Sequence, residues 1–276
     1  MSEIPAWETI AVSREEGGVT FLTLNRPAKR NAMNPRMNEE AAAALEWLRY
    51  DAETRVIVLT GAGEAFCGGM DIKEFLVGLK DRPDEYDRID RLTYEWRART
   101  LRRLPKPVIA MVNGYTFGGG VNLVESCDLA MAAEEATFGV SEINFGMFPA
   151  GPVTRSLTRL ARPKDGLLHA MTGRPFDGRV AERMGLVNLA VPAARLREET
   201  LALAREIASK DSFALRATKE SFWLAQEMSH DAAQDYVSAK YHELTHRQSG
   251  SWREKGAQGF LDKAFKPGLG GRPAGA

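Results

Sequence analysis

Two glycine-rich turns are the residues of this 276-residue chain whose type and spacing could do chemistry: Gly68-Gly69-Met70-Asp71 and Gly118-Gly119-Gly120. Glycine lets a backbone approach a ligand closely and adopt φ > 0. A turn that opens a helix also exposes N–H groups without partners. One N–H from each turn, aimed at a single point, would hold an oxyanion, which suits a thioester carbonyl becoming an enolate. Other uses of glycine fit the sequence worse. Gly61-Ala62-Gly63 follows a strand, but Phe66 stands where a dinucleotide-binding turn needs its third glycine. Gly118-Gly119-Gly120 lacks the Lys-Ser/Thr of a phosphate-binding loop. Gly139-Val140-Ser141-Glu142 lacks the final glycine of a nucleophile elbow. The four histidines, His169, His230, His242 and His246, lie outside these segments and show no ligand spacing, so no metal site is expected.

The elements that must position the turns alternate between strand and helix. Residues 8–14 and 19–24 alternate apolar and polar around Glu15-Glu16-Gly17-Gly18, the pattern of a β-hairpin. Residues 37–50 have helical spacing, and 55–60 (RVIVLT) read as a buried strand. A charged helical stretch over 82–103 leads into a second buried strand at 107–112. Gly118-Gly119-Gly120 opens the next helix, and 127–132 read as a further strand. Strands separated by helices imply crossovers of one hand. From residue 193 the pattern becomes almost continuous amphipathic helix, at 193–210, 213–228 and 232–247. A boundary is therefore expected near Pro192, dividing a core at 1–192 from a helical region at 193–276. The last residues, 268–276, are rich in Gly, Pro and Ala and read as a frayed tail.

Three segments resemble the signatures of the crotonase (enoyl-CoA hydratase) superfamily, in its order and at its spacing. They are Leu24-Asn25-Arg26-Pro27 with Asn31-Ala32, Ala65-Phe66-Cys67-Gly68-Gly69-Met70-Asp71-Ile72-Lys73-Glu74, and Val112-Asn113-Gly114-Tyr115-Thr116-Phe117-Gly118-Gly119-Gly120. The resemblance implies an α/β fold with a ββα-spiral core and a C-terminal helical trimerisation region. It further implies homotrimers or dimers of trimers, with coenzyme A entering as part of the substrate thioester and no tightly bound cofactor. By position, Met70 and Gly119 match the oxyanion N–H pair, and Ala65, Gly68 and Ile72 match the coenzyme A channel. Lys29 and Arg30 match the segment that meets the nucleotide, where cations suit phosphates; the alternative is a solvated turn. Glu142 matches the general acid/base. Relatives with two glutamates place the other where Asn122 stands here, an amide that cannot exchange a proton. Glu125, three residues on, shares that helix face but is set to point deeper or elsewhere.

A narrower resemblance comes from the segment 136–146 (ATFGVSEINFG), which includes Phe145 and Gly146. Together with Ala32-Met33-Asn34-Pro35, Phe260-Leu261-Asp262 and Lys266-Pro267-Gly268-Leu269 it is similar to hydroxycinnamoyl-CoA (feruloyl-CoA) hydratase-lyases. Those enzymes also carry a single glutamate at the Glu142 position. The resemblance implies hydration of feruloyl- or coumaroyl-CoA, then retro-aldol cleavage to an aromatic aldehyde and acetyl-CoA. The acyl pocket departs from their pattern. Tyrosines that address the phenol are replaced by Phe75 and Ser238, and a serine by Asn122. Tyr236 and Tyr241 flank Ser238 and are either substitutes or packed helix tyrosines. A simple enoyl-CoA hydratase or isomerase acting on another acyl group remains an alternative. So does an inactive coenzyme A- or RNA-binding member of the fold.

The bulk composition narrows the classes further. Lys plus Arg and Asp plus Glu both number 37, so the basic excess of a nucleic-acid binder is absent. Cys67 and Cys127 show neither a CxxC nor a zinc spacing, which points to a reducing compartment. No apolar run is long enough to span a membrane, and residues 1–13 lack the pattern of a secretory leader. A cytoplasmic enzyme with an acyl-CoA substrate is expected, with neither nucleic acid nor membrane as a partner.

Overall fold

The computed structural model describes residues 3–264; the Lys266-Pro267-Gly268-Leu269 segment and the tail at 268–276 lie outside them. The chain divides after Ala208 into two compact units. The first begins with a hairpin, β1 (Ile10–Glu15) and β2 (Val19–Leu24), then α1 (Pro35–Tyr50). Next come three pairs of one long and one short strand: β3 (Val56–Gly61) with β4 (Ala65–Cys67), β5 (Val108–Val112) with β6 (Tyr115–Phe117), and β7 (Leu129–Ala133) with β8 (Thr137–Gly139). The unit closes with β9 (Phe176–Asp177) and β10 (Leu189–Val191).

The long strands form one sheet in the order β1-β2-β3-β5-β7-β10, and the short ones another in the order β4-β6-β8-β9. Except for the antiparallel β1–β2 and β8–β9 pairs, neighbours run parallel. Each turn of the chain thus lays a strand in each sheet before its helix, which is the ββα spiral. The sequence pattern revealed the long strands because β3 and β5 are buried along their whole length, the mark of a sheet covered on both faces. The short strands have two or three residues, too few for any periodicity to register.

Helices cover the sheets where the apolar spacing requires. Asn34 caps α1, its side chain accepting from Met37 N–H at 2.9 Å, with Pro35 in the first turn. Met37, Ala41, Ala44, Leu45 and Leu48 form its buried stripe. A charged helix α2 (Pro83–Tyr94) passes without a break into a π-helical turn, Glu95–Thr100, and a last α-turn, α3 (Leu101–Arg103). The π turn buries Trp96, Arg97 and Ala98 consecutively, and Trp96 Nε1 donates to Asn38 Oδ1 of α1 at 2.9 Å. Four more helices follow, α4 (Gly119–Ser126), α5 (Pro152–Leu160), α6 (Pro163–Thr172) and α7 (Gly178–Met184). Helix α8 (Ala193–Ala208) lies against β2, β3, β5 and β7. It buries Leu196, Thr200, Ala204 and Ala208, one residue per turn. That packing moves the boundary from the expected Pro192 to Ala208, because α8 completes the core of the first unit. The second unit contains α9 (Ser212–Ala225), α10 (His230–Arg247), a π-helical turn at Trp252–Ala257 and α11 (Gln258–Leu261).

One side chain ties the loops of the first unit together. Asn31 is fully buried at φ 54, a left-handed conformation that asparagine tolerates. Its Nδ2 donates to the Ala62 and Ala65 carbonyls at 2.9 and 2.7 Å, and its Oδ1 accepts from Arg26 N–H at 2.8 Å. Asn31→Ala would leave these buried groups without that partner, and we expect it to cost about 3 kcal/mol of stability. Chemical denaturation measures the loss; a change below about 0.5 kcal/mol would mean the loops hold without Asn31.

Candidate active site

The two glycine turns meet. Gly69 has φ +89, and a Cβ there would lie 2.8 Å from the Phe117 carbonyl oxygen and 3.5 Å from Gly119 N. Gly118 has φ +49 and precedes the first residue of α4. No other residue fits either place without strain. Gly120 is pressed equally hard against Cys67 of β4. The backbone at 68–70 and the N-terminus of α4 are therefore in direct contact.

The N–H groups at this corner are oriented by bonds made elsewhere. Met33 and Met70 form a parallel bridge. It consists of Met33 N–H to Gly69 O at 2.8 Å and Asp71 N–H to Met33 O at 3.0 Å, so it uses neither polar backbone group of Met70. Gly119 stands at the first position of α4, where an α-helix supplies no acceptor for the N–H. The turn after Met70 is braced by Arg26, whose guanidinium reaches Asp71 at 2.8 Å and Glu74 at 2.6 Å. Asp71 in turn accepts from Glu74 N–H at 2.8 Å and caps the π-helical turn Ile72–Val77.

A cavity of about 490 Å³ opens on this corner. Of the residues expected at the site, Gly68, Met70, Ile72, Gly119, Glu142 and Phe145 line it. Glu142 opens a 3₁₀ turn, Glu142–Phe145, and its carboxylate approaches Gly118, where a Cβ would meet Oε1 at 3.1 Å. The side chain is half-buried and Oε2 has no hydrogen-bond partner. Burial pushes its pKa up, while its own backbone N–H and the charge of Arg97 pull it down by less.

The other expected residues lie elsewhere. Ala65 is buried in β4 with its carbonyl taken by Asn31, and Gly146 is the left-handed end of the 3₁₀ turn, outside the cavity lining. Lys29 and Arg30 are exposed. Arg30 stacks over Tyr115 at 4.5 Å, and its carbonyl accepts from Gly68 N–H at 2.7 Å, tying their turn to the cavity rim. Phe75 does not reach the cavity. It is fully buried with Leu79 and Ile89, because the π-helical turn directs it inward. Asn122 is buried inside α4, bonded to Ser156 at 3.1 Å. Glu125 is buried beside it and paired with Arg102 and with Arg159. Tyr236, Ser238 and Tyr241 belong to the second unit and are absent from the cavity lining. Tyr236 lies by Lys240, Ser238 is exposed, and Tyr241 accepts from Arg253 at 3.3 Å. Among the described residues no cluster of His, Cys, Asp or Glu could hold a metal.

Sequence reasoning missed one wall of the cavity. Tyr86, Asp90, Tyr94 and Arg97 come from α2 and the π turn behind it. The Tyr86 ring stacks on Phe75 at 5.1 Å, so a phenol stands one ring away from the position where one was expected. Burial and the nearby Asp90 raise its pKa, which keeps the hydroxyl a donor. The spacing of 86, 90, 94 and 97 on one helix face was the available signal.

With this geometry the chain belongs to the enoyl-CoA hydratase/isomerase family, which it matches over residues 14–267. It is similar to a Pseudomonas fluorescens protein named hydroxycinnamoyl-CoA hydratase-lyase, 43% identical over 265 residues, covering 95% of this chain and 96% of that one. It is 31% identical to a probable mitochondrial enoyl-CoA hydratase of Dictyostelium discoideum, across 92% of this chain and 88% of the relative. The crystal structure of a Mycobacterium smegmatis enoyl-CoA hydratase superposes with a TM-score of 0.85 at 31% identity, over 93% of this chain and 97% of that one.

The raised pKa of Glu142 makes a pH prediction. Because the folded carboxyl holds its proton more tightly than the unfolded one, stability falls as pH rises through the interval between the two values. Above that interval the cost of burying the charge is complete. Glu142→Gln is therefore expected to melt no lower than wild type at pH 7, yet to lose roughly 10²–10⁴-fold in kcat. Wild-type activity should fall as pH drops through the raised pKa. Near-wild-type turnover by both Glu142→Gln and Glu142→Ala would remove Glu142 from the chemistry.

Proposed function

We propose that the protein hydrates an aryl α,β-unsaturated acyl-CoA and then cleaves the Cα–Cβ bond, with hydroxycinnamoyl-CoA thioesters as substrates. The observation that carries this reading is the single half-buried carboxylate, Glu142, set against the Gly118–Gly119 corner beside Met70. The 43% identity to a hydratase-lyase supports it. So does a cavity lined by five aromatic rings, those of Tyr86, Tyr94, Phe117, Phe145 and Phe148, which suits a planar aryl group.

In the proposed mechanism, Met70 and Gly119 N–H hold the thioester oxygen. Glu142 removes a proton from water as its oxygen bonds to Cβ, and the electron pair of the double bond moves onto the thioester as an enolate. Glu142 then returns the proton to Cα. In the second stage Glu142 accepts the β-hydroxyl proton, the new C=O forms as the Cα–Cβ bond breaks, and an acetyl-CoA enolate leaves. Protonation at its Cα completes acetyl-CoA and releases the aldehyde. Both stages pass through an enolate on the same oxygen, so one donor pair serves both, each donor contributing about 3–4 kcal/mol by mutational precedent.

Coenzyme A enters as part of the substrate. Lys29 and Arg30, exposed on the turn held to Gly68, are the proposed partners of its phosphates. Cys67 and Cys127, both buried, fit a cytoplasmic setting. No described helix is long and apolar enough to cross a membrane.

Incubation with feruloyl-CoA tests the reading directly. Loss of the conjugated chromophore should accompany equal amounts of aromatic aldehyde and acetyl-CoA. In K29A/R30A the KM should rise with kcat preserved. Hydration of crotonyl-CoA without any aldehyde from feruloyl-CoA would support a simple hydratase instead. No turnover of either would leave a coenzyme A-binding protein.

We also propose a homotrimer or a dimer of trimers, supported by exposed apolar side chains of the second unit, Phe222, Val237, Phe260 and Leu261. Light scattering should give the mass of three or six chains. A monomer would overturn this assembly.

A further inference from the structure

Arg97 is the buried charge that the mechanism above does not use. Only 7% of it is exposed, yet it lines the cavity. Its Nη1 contacts the Met70 thioether at 3.8 Å and its Nε has no partner. Among the described residues it has no oxygen acceptor at all, unlike Arg26, which holds two carboxylates nearby. The guanidinium also packs so closely against Gly119 that a Cβ there would collide with Nη1. A cation this deep is costly unless something anionic meets it.

The groups around it do not meet that need. Burial pushes the Cys67 thiol up to about 11, so it is neutral at working pH. Asp90 is exposed, and neither it nor Glu142 forms an ion pair with Arg97. Tyr86, also on the cavity wall, has its phenol pKa raised by burial and Asp90 and is neutral. Burial lowers Arg97 itself to about 10, with Cys67, Asp90 and Glu142 acting in the opposite direction. It is still charged at neutral pH. The π-helical turn at Glu95–Thr100 is what brings Arg97 inward next to Trp96, and such turns recur at functional sites.

We propose that Arg97 is a catalytic residue: its guanidinium, placed between Met70 and Gly119, stabilises the negative charge that forms on the thioester oxygen when the bound acyl group becomes an enolate. The inference rests on the reading of Met70 and Gly119 as the thioester-binding corner, and is independent of which acyl group is used. The charge that pairs with Arg97 exists only during reaction, which accounts for a cation left without an acceptor in the resting protein. The same positive charge acts on Glu142 and favours its ionised, proton-accepting form.

Acetoacetyl-CoA provides the test, because its enolate absorbs in the near ultraviolet and it needs no knowledge of the true substrate. The wild-type protein should bind it partly as the enolate, with an apparent enolisation pKa below that in solution. In R97Q and R97M that pKa should rise by about one unit, a tenfold loss of bound enolate, while R97K retains part of the effect. Ground-state affinity for saturated acyl-CoA should change little. Melting temperatures of R97Q and R97M should equal or exceed wild type, since a buried charge without an acceptor has been removed. Equal enolate fractions in wild type and R97Q would overturn the proposal and leave the thioester site intact. Failure of the wild type to bind acetoacetyl-CoA would overturn both. A lowered melting temperature with an unshifted enolate pKa would make Arg97 structural.

Discussion

The contact between the backbone at Gly69 and the corner at Phe117–Gly119 constrains everything around it. A side chain at Gly69 would strike the Phe117 carbonyl, and one at Gly119 would strike Arg97. Two chain segments from different turns of the spiral can come this close only where neither carries a Cβ. The short sheet brings them there, since β4 and β6 pair in parallel and deliver residues 68 and 118 at the same edge. Once they meet, the Met33–Met70 bridge and the start of α4 decide which N–H groups stay unused. The geometry at this corner is therefore set by backbone packing rather than by side-chain choice.

That origin explains how much of the protein could be read from its sequence. Long buried strands such as RVIVLT and the α1 stripe announce themselves through composition and period, and the glycine turns through motif. Among the described residues, five of the ten strands have only two or three residues, and these carry no period to detect. Motif spacing places Phe75 at the acyl pocket, but the π-helical turn after Asp71 directs it into the core. The whole of α4 is buried, so no face of it marks the cavity. Helix α8 was assigned to the helical tail because its amphipathic pattern resembles that of α9 and α10. Only the stripe of Leu196, Thr200, Ala204 and Ala208, small enough to lie flat on a sheet, distinguishes it.

Charge is handled differently inside and outside the cavity. Behind α4, Glu125 is enclosed by Arg102 and Arg159, with Ser156 at 3.2 Å. Its Oε1 meets Arg159 at 3.6 Å as an ion pair without a hydrogen bond, so opposite charge is what holds this buried carboxylate. Within the cavity, Glu142 and Arg97 have no such ion pair among the described residues. Glu142 Oε2 and Arg97 Nε are both buried and both without hydrogen-bond partners. Unsatisfied polar atoms are few in folded proteins and each one costs stability. Here two of opposite charge face one cavity without pairing with each other.

The cavity is thus built from two kinds of material with different freedom to vary. Its glycine corner is fixed by positive φ at Gly69 and Gly118 and by backbone collisions at Gly69 and Gly120. Arg97, on the π turn, packs against that corner, whereas the wall of Tyr86, Asp90 and Tyr94 sits on α2, with Tyr86 stacked on Phe75. Side chains there can change without moving the corner. The phenol on that wall is held by the Phe75–Tyr86 ring stack and the corner by backbone contacts, so the two rest on different interactions.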